Sequence, residues 1–233
     1  MGHLAVPGLP ARRRWRSVLP LGLAALAACA DARNRHSTSS TAADTVEARA
    51  FAAANGAAER RGDTLRIVGT GRVTAVLVDD TTEGDGYRIL RYDGRIAGSP
   101  FHGVRQGFHE GRGYLLVHER TARQVRVDAR PVASPSGRWL ATVSLDLEAA
   151  FDPNALGILA PDADSVTSVY RVEPTRWGPD SIVWRGDDTL VVVQRWTTDS
   201  GPGKYERREA RVVHEGAGWI LQPPDFTTGS DGP

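Results

Sequence analysis

The stretch YLLVHERTARQVRV, residues 114–127, contains two short runs of β-forming residues with a turn between them. The first run, 114–118, is apolar except for its histidine, and the second, 124–127, alternates valine with polar residues. Residues 121–123 supply the polar turn. Two such runs joined by a few residues predict an antiparallel β-hairpin.

The same pattern continues in both directions along the chain. Further strands are predicted at 65–68, 72–78, 87–92, 139–145, 156–159, 166–172, 181–184, 190–196, 210–213 and 219–221. Turns rich in Gly, Pro or Asp separate these runs, and none of them keeps a helical periodicity. Links this short cannot make parallel crossovers. The sequence therefore predicts an all-β fold of antiparallel meander sheets, with a β-sandwich as the alternative.

Residues 134–141, SPSGRWLA, resemble the S-P-D-G-R-x-L-A segment of TolB-type propeller blades, with Ser136 in place of the usual Asp. In that family a tight turn feeds a buried strand. A weaker second repeat follows, in which Ile158 lies 44 residues after Tyr114 and Leu190 lies 51 residues after Trp139. Blade repeats are about 40 to 50 residues long. The resemblance implies incomplete, stacked propeller-like blades and carries no activity.

The amino-terminal segment has the layout of an export signal. Four arginines between residues 12 and 16 precede an apolar run at 18–28, and this run ends in Leu26-Ala27-Ala28-Cys29. The run is shorter than the roughly 20 residues that span a bilayer. Its ending resembles the lipobox of bacterial lipoproteins. By that resemblance Cys29, the single cysteine, carries diacylglycerol and becomes the first residue of the mature protein.

The lipobox resemblance also implies a location. It places the protein in the bacterial cell envelope, held to a membrane by the lipid on Cys29, with its domain facing the periplasm or the exterior. Stable anchoring takes more than one acyl chain, which a triacylated cysteine provides. Ala30 rather than Asp follows the cysteine. By analogy with enteric bacteria, this favours the outer membrane.

Composition divides the chain into four segments. These are a signal peptide at 1–28, a lipidated cysteine and flexible tether with a candidate short helix at 29–62, a β domain at 63–222 and a loose tail at 223–233. The whole chain has 29 basic and 28 acidic residues. The signal contains four arginines and no acid, so the mature chain is slightly acidic. A nucleic-acid partner, which calls for a clustered basic face, is not expected.

Two acidic clusters are weak candidate metal sites. The first lies between predicted strands and contains Asp79, Asp80, Glu83 and Asp85. Flexible loops rich in oxygen ligands suit Ca²⁺, but the register is not that of an EF-hand, and a solvated hairpin turn explains the same composition. The second cluster contains Asp146, Glu148 and Asp152. If the preceding strand continues, the first two project to one side, and such a pair can serve glycoside hydrolysis at a suitable separation.

Histidines and tryptophans supply the remaining candidate residues. His102, His109 and His118 match no zinc spacing, so we expect solvated histidines at strand edges. Most tryptophans are expected in the core, whereas Trp184 and Trp196 lie near strand ends and are the candidates for exposed stacking on a ligand. No cofactor is expected.

Enzyme signatures do not occur in the sequence. The chain contains no Gly-x-Ser-x-Gly, no His-Glu-x-x-His and no P-loop, and its one thiol is assigned to the lipid. The expected function is a lipid-anchored envelope protein whose β domain binds an envelope protein or a polysaccharide without catalysis. A divergent metal-dependent or carbohydrate-active hydrolase using the Asp146–Asn154 loop is the alternative. A purely structural assembly partner is the third.

Overall fold

The computed structural model describes residues 45–198 and 204–222, which form one helix, α1 (residues 45–54), and fifteen strands. The first sheet contains β1 (Ala58–Arg61), β2 (Thr64–Val68) and β3 (Thr74–Val78). The second contains β4 (Arg88–Arg95), β5 (Phe101–Phe108), β6 (Arg112–His118) and β7 (Gln124–Val127).

The third sheet contains β8 (Val132–Ala133), β9 (Leu140–Ser144), β10 (Ala155–Pro161) and β11 (Val166–Val172). The fourth contains β12 (Trp177–Trp184), β13 (Thr189–Thr197), β14 (Tyr205–Glu215) and β15 (Gly218–Gln222). In all four sheets, consecutive strands are neighbours and every pair is antiparallel. The expected all-β meander is therefore confirmed.

The apolar cores of the described residues lie between successive sheets. One core joins α1 and the first sheet to the second and includes Leu65, Tyr92 and Val104. A second core joins the second sheet to the third around Phe101 and Leu140. A third core joins the third sheet to the fourth and contains, among others, Trp139, Leu156, Ile158, Trp177, Leu190 and Trp219. The sheets are thus stacked in chain order, with a core in each interval.

This stacking explains why two strands show little polar alternation. The second and third sheets contribute residues to the cores on both of their sides. Accordingly, β6 is buried from Tyr114 to His118, and β10 is buried over its first five residues. Strands covered on both faces are expected to be nearly continuously apolar.

The segment 134–141 forms the tight turn and buried strand that the blade resemblance implies. Gly137 has φ +75°, and a Cβ at this position would lie 2.1 Å from the backbone oxygen of Gly98, so only glycine fits. Ser136 stands where the blade family has Asp. Its backbone N–H donates to the Asp187 carboxylate at 3.0 Å, and this carboxylate comes from the turn between β12 and β13. The next sheet therefore supplies the acidic acceptor.

The segment in which the sequence suggests a candidate short helix is folded. Residues 45–54 form α1, and Ala58–Arg61 form β1. Phe51 stacks on Tyr92 with ring centroids 5.2 Å apart, and Ala54 is buried in the first core. The helix is stabilised by packing against the sheets rather than by its own propensity.

The repeat offsets in the sequence correspond to equivalent strands. Tyr114 lies in β6 and Ile158 in β10, which are the third strands of the second and third sheets. Trp139 immediately precedes β9, the second strand of the third sheet, and Leu190 lies in β13, the second strand of the fourth sheet. The described residues are enough for four sheets because two of the sheets are small: the first has only three strands, and β8 of the third has only two residues. Among the described residues, no helix has both the length and the apolar composition required to cross a bilayer.

Candidate functional site

A cavity of about 430 Å³ lies between the second and third sheets at one end of their strands. We call it the Arg105 cavity. The second sheet contributes polar groups, and the third contributes mainly apolar ones. Its walls include Asp93, Arg105, Tyr114, Arg130, Val143 and Leu145. Its volume falls in the range of small-molecule sites, about 300 to 1,000 Å³.

Asp93 organises the polar wall of this cavity. Its Oδ2 accepts a hydrogen bond from the Tyr114 hydroxyl at 2.8 Å and another from Arg130 Nη1. Arg130 Nη1 also donates to the Asp93 backbone oxygen at 2.7 Å. Burial and the neighbouring Asp93 carboxylate raise the pKa of Tyr114. The phenol is therefore a neutral hydrogen-bond donor at physiological pH.

The position of Tyr114 depends on a glycine in the neighbouring strand. A Cβ at Gly103 would lie 2.0 Å from the Tyr114 hydroxyl oxygen, so a larger residue would displace the phenol from Asp93. Gly103 therefore has a packing role in β5, where a glycine would otherwise weaken the strand.

The loop at 145–152, which joins β9 to β10, borders the Arg105 cavity and two neighbouring depressions. One, of about 410 Å³, includes His109, Arg112 and Phe151. The other, of about 250 Å³, includes Glu148 and Tyr205. Leu145 lines all three. The loop with the second acidic cluster thus lies beside three concavities.

Asp146 shapes this loop through its backbone. Oδ1 accepts from the N–H groups of residues 148, 149 and 150 at 3.3, 2.8 and 3.0 Å. Oδ2 accepts from residues 151 and 152 at 2.9 and 3.0 Å. These bonds, led by that from residue 152, lower the pKa of Asp146 to about 2. A general acid needs the opposite shift.

The stabilising contribution of Asp146 is expected to disappear in acid. Its pKa is about 2 in the folded protein against an ordinary value of 3.8. A lowered folded pKa gives stability that is fully present above the unfolded value and lost as pH falls through the folded value. In urea titrations, Asp146→Asn should therefore differ most from wild type near pH 5 and least near pH 2, both values being approximate.

A matched control for this experiment is Asp162→Asn. Asp162 is an exposed turn residue whose Oδ1 accepts a single N–H, from Ala163 at 2.7 Å. Its substitution is expected to change stability little. A difference between Asp146→Asn and wild type that stays constant down to pH 2 would contradict the assigned role of Asp146.

Glu148 and Asp152 also make contacts that hold the loop in place. Glu148 accepts a hydrogen bond from the Tyr205 hydroxyl. Asp152 accepts from the Arg112 backbone N–H at 2.5 Å and from its Nε at 3.2 Å. Strand β9 ends at Ser144, so the condition for Asp146 and Glu148 to project together from one strand is not met.

The first acidic cluster is divided by the structure. Asp79 accepts from the Leu90 N–H at 2.7 Å and pairs with Arg60 at 3.1 Å. Asp80 accepts from Thr82, and these bonds lower its pKa. Glu83 and Asp85 are exposed in the connection between β3 and β4, which an antiparallel bridge between Asp80 and Arg88 closes.

The described residues contain no group of three or more His, Cys, Asp or Glu side chains placed to hold a metal ion. The Asp79–Asp85 segment instead combines a buried structural carboxylate with exposed turn residues.

The expectation of solvated histidines is wrong for two of the three. His102 is buried, with Nδ1 2.9 Å from the Tyr92 hydroxyl, and burial lowers its pKa. His118 is buried, and its Nδ1 accepts the Arg120 N–H at 3.2 Å. His109 is exposed. His102 lies on β5 and His118 on β6, two neighbouring strands of a sheet that is covered on both faces, and the sequence does not reveal this cover.

The two candidate tryptophans are partly buried in the core between the third and fourth sheets. Trp184 Nε1 donates to the Val132 oxygen at 2.9 Å. Trp196 Nε1 donates to Gln194 Oε1 at 2.9 Å, and its ring lies 6.4 Å from that of Trp177. Packing and satisfied indole N–H groups favour a structural role for both residues.

The polar groups of the Arg105 cavity were not singled out from the sequence. Asp93, Arg105 and Tyr114 lie on three different strands, and Arg130 lies in the connection after β7. Arginines are scattered along the chain, so none of these positions carries a local signal. The antiparallel register, which pairs Arg105 with Tyr114, brings them together.

Cys29 and the Leu26–Cys29 motif lie outside the described residues, as does the 223–233 tail. No protein-family model matches the chain, and neither the curated proteins nor the solved structures include a significant match.

Proposed function

We propose that this protein is a non-catalytic binding module of the bacterial cell envelope, anchored to a membrane by lipid on Cys29. The stacked sheets form a scaffold, and the Arg105 cavity with its bordering loop is the recognition surface. The cavity is the observation that carries this proposal, because it combines small-molecule size with an unsatisfied arginine.

The state of the nearby carboxylates supports binding rather than catalysis. Asp146 accepts five backbone N–H groups, Asp152 pairs with Arg112, and Glu148 accepts from Tyr205. Acid–base chemistry needs a carboxyl group whose pKa is near the working pH, whereas that of Asp146 is about 2. The only observation that favours the hydrolase alternative is the position of the loop, which borders three concavities.

Membrane attachment would raise the effective concentration of the module near envelope components. A weak site then suffices for function. An envelope protein or polysaccharide is accordingly the proposed class of partner, and a small cavity would bind one end or one residue of it.

Site-specific photo-crosslinking in the native envelope tests the proposal. A photoreactive residue at Ala129, which lines the cavity, is expected to give a discrete adduct with an envelope component. The matched position is Ile220, which is exposed on the fourth sheet, and it is expected to give none. An adduct from Ile220 alone would move recognition to another surface. No adduct from either position would contradict a binding function.

A further inference from the structure

Arg105 lacks a full set of partners in the Arg105 cavity. Its Nε and Nη2 are buried and make no hydrogen bond to any described residue. The nearest counter-charge is Asp93, whose Oδ1 lies 3.3 Å from Nε, outside hydrogen-bond geometry. The side chain as a whole is 40% exposed, but these two donor atoms are not, and a buried donor without an acceptor is costly in a folded protein. An incoming acceptor would remove that cost.

Asp93 cannot compensate Arg105 alone, because its carboxylate is shared. Its Oδ2 already accepts from Arg130 and from the Tyr114 hydroxyl. One negative charge therefore faces two guanidinium groups.

The other charges of the cavity are balanced elsewhere. Arg112 Nε lies 3.2 Å from Asp152 Oδ2. Asp128 pairs with Arg171 of β11, which is not part of the cavity wall. Arg171 also pairs with Glu173 at 2.7 Å, so it adds no net charge to the cavity. The wall has three arginines and three aspartates, and among these arginines Arg105 is the one with buried donors that lack a hydrogen-bond partner. The counterpart of one such guanidinium is a monoanion.

The apolar part of the wall indicates what accompanies the negative charge. Ala129, Val143 and Leu145 line the cavity, and Ser144 also belongs to its wall. Such a surface suits a small aliphatic side chain better than a sugar ring, which needs a hydrogen-bond partner for each hydroxyl. A planar carboxylate is a monoanion that fits a guanidinium fork.

We infer that the Arg105 cavity binds the free carboxyl end of a peptide with a small aliphatic last residue. Arg105 receives the carboxylate, and the Ala129–Val143–Leu145 surface receives the side chain. This inference rests on the proposed binding function and names the ligand class for its site. Capture of a terminal carboxylate is one of the recurring modes of peptide recognition.

A matched pair of peptides tests the charge requirement directly. N-acetyl-Ala-Ala with a free carboxylate is compared with the same dipeptide ending in a carboxamide, by isothermal titration or NMR with the wild-type protein. We expect the acid to bind about tenfold or more tightly than the amide, as a charge-assisted hydrogen-bond pair would give. Its affinity is expected to fall as salt is added. Equal affinities, or no binding of either, would overturn the inference.

Variants then assign the effect to Arg105. Arg105→Gln should remove the preference for the acid, and Arg105→Lys should keep part of it, since an ammonium lacks the planar fork. Arg211→Gln, on an exposed position of β14, is the matched control and should leave both affinities unchanged. Circular dichroism checks that each variant folds. An acid preference that persists in folded Arg105→Gln would contradict the assignment.

The outcomes separate this inference from the proposed function. D-galacturonate and D-galactose form a second matched pair for a polysaccharide ligand. Tighter binding of galacturonate than of the dipeptide would overturn the peptide assignment and leave a binding module. Crosslinking from Ala129 without discrimination between the acid and amide peptides would do the same. Failure of the crosslinking itself would instead contradict the binding function.

Discussion

Cys29→Ser is expected to transfer the protein almost entirely from the membrane fraction to the soluble fraction. Each buried methylene of an acyl chain contributes about 0.8 kcal/mol, and anchoring by two or more chains is stable, whereas a single chain gives marginal binding. The substitution removes the thiol to which the diacylglycerol would be linked, so all of this energy is lost at once. Fractionation of cells and palmitate labelling measure the effect.

The control for this experiment retains the cysteine. Ser37→Ala lies a few residues further along the chain, and it is expected to stay membrane-bound and labelled. Two results together would refute the anchor: no label in the wild type, and membrane partition of Cys29→Ser equal to that of the wild type. Release of Cys29→Ser without loss of crosslinking from Ala129 would separate anchoring from recognition.

Much of the sheet structure follows from local sequence. The predicted strands at 124–127 and 166–172 match β7 and β11 residue for residue, because the first alternates polar and apolar side chains and the second is rich in β-branched residues. Short links then require antiparallel neighbours. The meander order of each sheet is a consequence of those links.

Strand β5 shows where local reasoning fails. Its sequence, FHGVRQGF, contains two glycines and a histidine, a composition more typical of a loop than of a strand. Gly103 is present because the Tyr114 hydroxyl occupies the space a side chain would take. His102 is present because its ring meets the Tyr92 hydroxyl. Both contacts are made with neighbouring strands, so no pattern within the segment itself predicts them.

The candidate site was likewise predictable only in part from local sequence. Its bordering loop was recognised from clustered acids, but those acids hold the loop together through backbone N–H groups, as Asp146 does. The unsatisfied donors of Arg105 are recognisable only in three dimensions, where Arg105 and Arg130 share the Asp93 carboxylate. Contacts between distant strands, rather than sequence spacing, identify the cavity.

Glu47→Ala is expected to destabilise the folded chain by about 3 kcal/mol and to release α1 from the first and second sheets. Glu47 is buried, and its Oε1 accepts the Tyr92 N–H at 2.7 Å and Arg60 Nη2 at 3.1 Å. Removing it leaves a buried arginine with less compensation and a buried backbone donor without its acceptor. Urea unfolding of the chain from residue 30 onward measures the loss.

Glu59→Ala is the matched control in the same part of the fold. Glu59 pairs with Arg61 at 3.2 Å, but both side chains are largely solvated, with 42% and 78% of their surface exposed. Exposed pairs of this kind contribute about 1 kcal/mol or less. Equal losses for the two variants would show that the buried carboxylate has no special role.

Protease sensitivity distinguishes release of the helix from general destabilisation. If Glu47 fixes α1 to β4, cleavage within residues 45–54 should accelerate in Glu47→Ala under conditions where the sheets stay folded. The reason is that α1 is attached through the side chains of Glu47 and Phe51, whereas the strands are held by continuous backbone ladders. Cleavage confined to the strands would contradict this.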